Sequence, residues 1–337
     1  MLHPLENIPK TSVENVLTID IEDWFHILDI GSMPSIQDWH KLESTVTKNT
    51  QVILDLLNKY HTKGTFFVLG WVAEHFPDLV REIARQGHEI GTHGYSHELI
   101  YNLTPNEFRR DVVRSLEVLE RITSLPILGY RAPGFSIANS SLWALDILVE
   151  LGLQYDASIF PMNRNHGGLP GFSGDAVWLT TAEGNKILEI PVTPTTLFNK
   201  KVYLFGGGYF RLAPYAAIAA GIEQLNNQGK PALVYLHPRE FDPQHPKLKM
   251  NPYRSFTSYV NLHKTHYKFE RMIQDFKFNS IEKIWQISID GKQRGRVVNN
   301  FVDLTPTDLE ICWLSNTCEK TSGTETAIAE NLPRLRQ

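Results

Sequence analysis

The sequence predicts an α/β fold: a distorted (β/α) barrel of about seven parallel strands with a C-terminal appendage. Two observations predict it. Short β-rich runs alternate with longer helical patterns over most of the chain. Polar, chemically capable residues also stand directly after several of those runs, as they do at the C-terminal face of such barrels.

The strand candidates are Val16–Ile21, Thr65–Leu69, Glu89–Thr92, Ile127–Tyr130, Leu153–Tyr155, Ile187–Pro191 and Ala232–Leu236. Between the first two, residues 44–60 place Val52, Ile53, Leu56, Leu57 and Tyr60 on one helical stripe. Residues 104–122 carry the clearest helix. Thr104, Pro105 and Glu107 read as N-cap, first-turn proline and capping-box carboxylate, and Val112, Leu116 and Leu119 recur behind them. Residues 139–151 and 213–227 predict two more helices. The aromatic-rich stretch Arg254–Phe276 is helical in its second half and is expected to pack on the barrel. After about residue 292 the periodicity fades, and a mobile tail is expected. The organisation expected is thus a barrel over 1–250, an extension over 251–292 and a tail over 293–337.

Composition removes several classes of function. The 337 residues hold 33 Lys+Arg against 37 Asp+Glu, a net charge of −4 that offers no grip on nucleic acid. No apolar run approaches the roughly eighteen residues that span a bilayer, so no transmembrane segment is expected. The opening MLHPLENIPK has neither the basic start nor the apolar stretch of a signal peptide, and a cytoplasmic location is the expectation. With only Cys312 and Cys318, both a disulfide framework and a cysteine-based zinc site are excluded.

Five strand ends carry candidate chemistry. Asp20, Glu22 and Asp23 close the first, His93 and His97 follow the third, Arg131 the fourth, Asp156 the fifth and His237 the last. Two histidines four apart can grip one cation from one side of a helical turn. Two His with one carboxylate and open positions is a catalytic rather than a structural metal pattern. Alternatively the two are surface histidines. Asp20 lies in an otherwise apolar strand and needs a cation or hydrogen bonds, with Arg131 a partner in function or in a structural bridge. Trp24 and Phe25 either present aromatic planes to a sugar or pack in the core. His26, His263 and His266 read as surface or packing residues. Gly206–Gly208 lacks the strand-then-helix context of a phosphate loop and reads as a loop needing room.

In this order, LTIDIED, HGYSH, RAPGF, YDAS and YLH resemble the five motifs of the polysaccharide deacetylases of the NodB-homology type, the family-four carbohydrate esterases. The resemblance runs from about Val16 to Pro238. Asp20-Ile21-Glu22-Asp23-Trp24 and HKTHYKFERM further resemble the subgroup found with exopolysaccharide export. Two positions depart from the family pattern: Ile21 replaces its second aspartate, and Gly94 replaces the Ser or Thr after the first metal histidine.

The resemblance implies metal-dependent removal of N-acetyl groups from amino sugars of a polysaccharide or its precursor. One divalent ion is expected, zinc first, with cobalt or nickel also suited to the donors. His93 and His97 would hold it with Glu22 or Asp23, since Ile21 cannot. Asp20 would be the general base, oriented by Arg131, and His237 the general acid, with Asp156 raising its pKa. A backbone N–H at Gly134 or Phe135, after Pro133, would help stabilise the oxyanion, and Trp24 and Tyr209 would line the substrate groove. Two other readings stand beside it: hydrolysis of another linear or cyclic C–N amide bond on the same fold, and a non-catalytic sugar-binding scaffold. The oligomeric state is not legible.

Overall fold

The computed structural model of the protein describes residues 13–28, 30, 34–164 and 166–287. The predicted tail 293–337, with both cysteines, lies outside the described residues. The strands are β1 (Asn15–Ile21), β2 (Thr65–Val68), β3 (Glu89–Thr92), β4 (Gly129–Tyr130), β5 (Tyr155–Asp156), β6 (Val177–Thr180), β7 (Lys186–Glu189), β8 (Thr195–Leu197), β9 (Lys200–Val202), β10 (Leu233–Leu236) and β11 (Phe278–Asn279). Helices α1 (Val46–Lys59), α2 (Gly70–His75), α3 (Pro77–Arg85), α4 (Pro105–Thr123) and α5 (Trp143–Glu150) alternate with the first five strands. Next come α6 (Gly207–Leu212) and α7 (Tyr215–Asn227) before β10, then α8 (Pro252–Tyr259), α9 (Thr265–Asp275) and α10 (Ile281–Trp285).

The main sheet runs β10-β1-β2-β3-β4-β5-β7-β6, parallel throughout except for the antiparallel β6–β7 pair at one edge. Seven consecutive parallel strands match the expectation. Among the described residues no ladder joins β6 to β10, so the sheet is a half-barrel. Its curl is read from Arg131, just past β4, whose Nη1 lies 2.7 Å from Thr18 Oγ1 on β1. Across a flat sheet, strands three apart would stand roughly 14 Å from each other.

Alternation along β1 sorts its side chains. Leu17, Ile19 and Ile21 face the helical layer, whereas Val16 joins the small cluster inside the bore with Phe67, Tyr155 and Tyr235. Thr18 and Asp20 share that inner face, where Arg131 meets both. Glycine makes room in the bore: a Cβ on Gly129 would stand 1.9 Å from the Tyr155 ring.

Helix α4 begins as predicted, with Thr104 accepting from Glu107 N and the Glu107 carboxylate accepting from Thr104 N. The stretch from 254 proved helical in both halves, α8 and α9. Rather than resting on the barrel only, it leads back into the sheet, where β11 pairs in parallel with the start of β1.

Candidate active site

The expected residues converge at the C-terminal ends of the strands. His93 and His97 both aim Nε2 at one Glu22 oxygen, each at 2.9 Å. Arg131 Nη1 is 2.7 Å from Asp20 Oδ1, and His237 Nε2 is 3.8 Å from Asp20 Oδ2 and 3.9 Å from Glu22 Oε1. Glu22, His93 and His97 form one group able to hold a cation, and Asp20, Glu22 and His237 an overlapping second.

Hydrogen bonding at His93 tests whether the first group suits a metal. Its Nδ1 is 2.8 Å from the Arg131 carbonyl, an obligate acceptor, so Nδ1 carries the proton. In the neutral ring Nε2 is then a lone pair pointed at a carboxylate oxygen. At that separation a proton on the ring or a metal ion between the two atoms relieves the repulsion. The Glu22 carboxyl is held well below the usual range: burial opposes its charge, but His97, His237 and His93 outweigh burial. An anion with two imidazoles therefore fits a divalent ion.

The histidine pair sits on a loop rather than on the helical turn that its spacing allows. Gly94 has φ +72° and His97 φ +59°, and a Cβ at Gly94 would stand 2.8 Å from Asp111 Oδ2. That Asp111 carboxylate on α4 accepts from Tyr95 N at 2.7 Å and Ser96 N at 2.9 Å, pinning the loop between the two ligands. A left-handed His is a strained conformation of the kind that collects at functional sites.

Asp23 is not part of the metal group. Its carboxylate caps the start of α1, accepting from Thr45 N at 3.1 Å, Val46 N at 3.3 Å and the Ser44 hydroxyl, and also from Trp24 N at 2.8 Å. Asp23→Ala is accordingly expected to lower stability by about 1–2 kcal/mol while leaving metal content unchanged. Elemental analysis and a melting curve check both halves.

Asp156 is not the partner of His237. Buried on β5 beside Glu189 of β7, it accepts from the Ser158 hydroxyl. Burial raises the Asp156 pKa, and burial with Asp156 alongside lifts Glu189 well above the carboxylate range. His237 is instead held by Glu240, whose Oε1 lies 2.8 Å from Nδ1 and 3.1 Å from the His237 backbone N. Burial opposes the His237 charge, yet Glu22, Glu240 and Asp20 together raise its pKa. Glu240 itself stays ionised: burial works against it, but Arg211 and His237 bring its pKa down to about 2.

The aromatic and backbone candidates fare less well. Trp24 and Phe25 are buried, packed edge to face at 5.4 Å, with Trp24 Nε1 donating to Glu43 O, so neither offers an open sugar platform. Pro133 and Phe135 are buried too. The Phe135 N–H donates to Ala132 O, which removes it as an oxyanion donor. A Cβ on Gly134 would run into Leu28 and Leu99. Tyr209 on α6 is half exposed. His26 is a packing residue, as expected, buried against Phe25, Trp39 and Trp71, and burial keeps its pKa well below the usual value.

Residues 36–155 match the polysaccharide deacetylase family. Residues 157–286 match a domain of unknown function, DUF3473. The chain is similar to a peptidoglycan-N-acetylglucosamine deacetylase of Bacillus cereus, 38% identical over 98 residues that cover 29% of this chain and 36% of that protein. It is also similar to a peptidoglycan deacetylase of Helicobacter pylori, 33% identical over 107 residues, 32% of this chain and 36% of that protein. The chain thus spans about a third of the length of these relatives. In fold it resembles a crystal structure from Mycobacterium smegmatis assigned as a polysaccharide deacetylase. That match has a TM-score of 0.58 at 19% identity and covers 89% of this chain and 98% of the other.

Set against the site, the two matched segments divide the labour. The deacetylase segment supplies His93, His97 and Arg131, while DUF3473 supplies His237 and Glu240. Asp20 and Glu22 precede both. No described helix is long and apolar enough to cross a membrane.

Proposed function

We propose that the protein is a divalent-metal-dependent hydrolase that removes N-acetyl groups from amino sugars of a polysaccharide, an exopolysaccharide by the motif resemblance, or of its precursor. The observation that carries this reading is the Glu22–His93–His97 group, whose three donor atoms converge closely enough to hold a cation, set between a carboxylate–arginine pair and a histidine–carboxylate pair. A divalent ion bound there, zinc by preference for two imidazoles and a carboxylate, supplies Lewis-acid polarisation of the acetyl carbonyl and a more acidic water.

The chain's own residues do the rest. Asp20, with one oxygen fixed by Arg131, turns the other towards the site and accepts the proton of the attacking water. His237, its Nδ1 fixed by Glu240, directs Nε2 inward and delivers a proton to the departing amine, which cannot leave as an anion. Arg131 is held by Ala157 O at 3.1 Å and lies over the Phe67 ring at 4.3 Å, so Asp20 has little freedom to swing.

The test pairs elemental analysis with acetate release from N-acetylglucosamine oligomers, with and without chelator. About one divalent ion per chain and chelator-sensitive acetate are expected. Metal without acetate would overturn N-deacetylation of such sugars in favour of another amide. Failure to take up zinc or cobalt would overturn the metal site itself.

A further inference from the structure

Arg211 lies on α6, fully buried, with its side chain gripped by the C-terminal extension. Nη1 donates to Ser258 O at 2.9 Å and Nη2 to Thr257 O at 2.8 Å, both carbonyls at the end of α8. Its main chain is gripped as well. Lys268 of α9, also buried, points Nζ at the carbonyls of Phe210 (3.1 Å), Arg211 (2.7 Å) and Ala213 (2.6 Å), and Asn261 Nδ2 adds a bond to Arg211 O at 3.3 Å. What remains of the guanidinium, Nε, faces Glu240 Oε2 at 3.2 Å, too poorly aligned for a hydrogen bond but a close ion pair. The other Glu240 oxygen holds His237.

Packing alone does not ask for this. Apolar side chains of similar volume would join α6 to α8 and α9 at least as stably as a buried arginine and a buried lysine. What the charges add is direction. Arg211 sets a positive charge beside one oxygen of a buried carboxylate whose other oxygen faces a single imidazole nitrogen. We propose that Arg211 is a positioning residue for His237, acting through Glu240, and that the extension over residues 252–275 serves catalysis by clamping Arg211.

This rests on the deacetylase reading, so the test carries one readout independent of activity. Full-length Arg211→Met and Lys268→Met are compared with wild type for kcat, KM, metal content and melting temperature. The imidazole ¹⁵N resonances of His237 are recorded for all three. Arg211→Met is expected to lower kcat by about 10–100-fold, with KM and metal content unchanged, and Lys268→Met by less. Both should shift the His237 nitrogens away from a single Nδ1-protonated tautomer. An unchanged imidazole spectrum overturns the proposal, as does a loss of kcat that only follows loss of fold or metal. An effect of Arg211→Met without any of Lys268→Met overturns the part given to the extension. If Arg211→Met does not fold, Lys268→Met decides. A wild-type protein without deacetylase activity overturns the proposed function instead, and the imidazole spectra still judge the positioning.

Discussion

His237→Ala is expected to release acetate about 10²–10⁴-fold more slowly than wild type while keeping its fold and its metal. The His237 side chain is 16% exposed and lies outside the Glu22–His93–His97 group, so its loss removes no ligand from that group and opens no deep cavity. Glu240, left without its imidazole, still has Arg211 beside it. The cost in stability is therefore small, and the rate effect can be assigned to chemistry. A second substrate sharpens the assignment. An amine leaves only with a proton, whereas the phenolate of 4-nitrophenyl acetate departs without one. If His237 is the acid, His237→Ala loses far more on the amide than on the aryl ester. Equal losses on both would show that the imidazole does something other than protonate the leaving group.

Much of this site is legible in the sequence because a parallel sheet gathers its strand ends. Asp20 and His237, more than 200 residues apart, meet because β1 and β10 are neighbours with matched registers. The exclusion of Ile21 as a ligand was legible in the parity of the strand, whereas Glu22 and Asp23 are told apart only by the hydrogen bonds that Asp23 spends on capping. Residues two apart share a face, so Thr18 and Asp20 point inward while Ile21 falls on the helix-facing side with Leu17 and Ile19, and Glu22 follows just past the strand end. Glu240 had a local signal too, since a carboxylate three residues after His237 and behind Pro238 has the spacing of a capping box.

Other parts had no local signal. The mate of Asp156 is Glu189, fixed by a register pairing across a long connection that no short window shows. Arg211, Lys268 and Asp111 act through backbone carbonyls and amides. Such partners leave no residue-type pattern, because every residue offers the same atoms. The loop between His93 and His97 shares the four-residue spacing of a helical turn, and only the positive φ of Gly94 and His97 separates the two.

The Asp20–Arg131 pair should show the largest effect on stability, and in a form that separates structure from chemistry. Both side chains are buried, and Arg131 also serves Thr18 and the Ala157 carbonyl. Arg131→Met leaves Asp20 as a buried anion without its partner, a change expected to cost about 3–5 kcal/mol. Asp20→Asn leaves the opposite charge, but its amide oxygen still accepts from Nη1, so it should cost less. The double variant Arg131→Met/Asp20→Asn buries no net charge at this point. It should therefore be more stable than Arg131→Met alone, with denaturant midpoints showing a non-additive gain. Activity should behave in the opposite way. No combination lacking the Asp20 carboxylate has a base, so the double variant regains stability without regaining turnover. Additive midpoints would mean that the two groups do not depend on each other in the folded protein. A double variant that recovered acetate release would mean that the water loses its proton elsewhere, and Glu22 would become the base to examine.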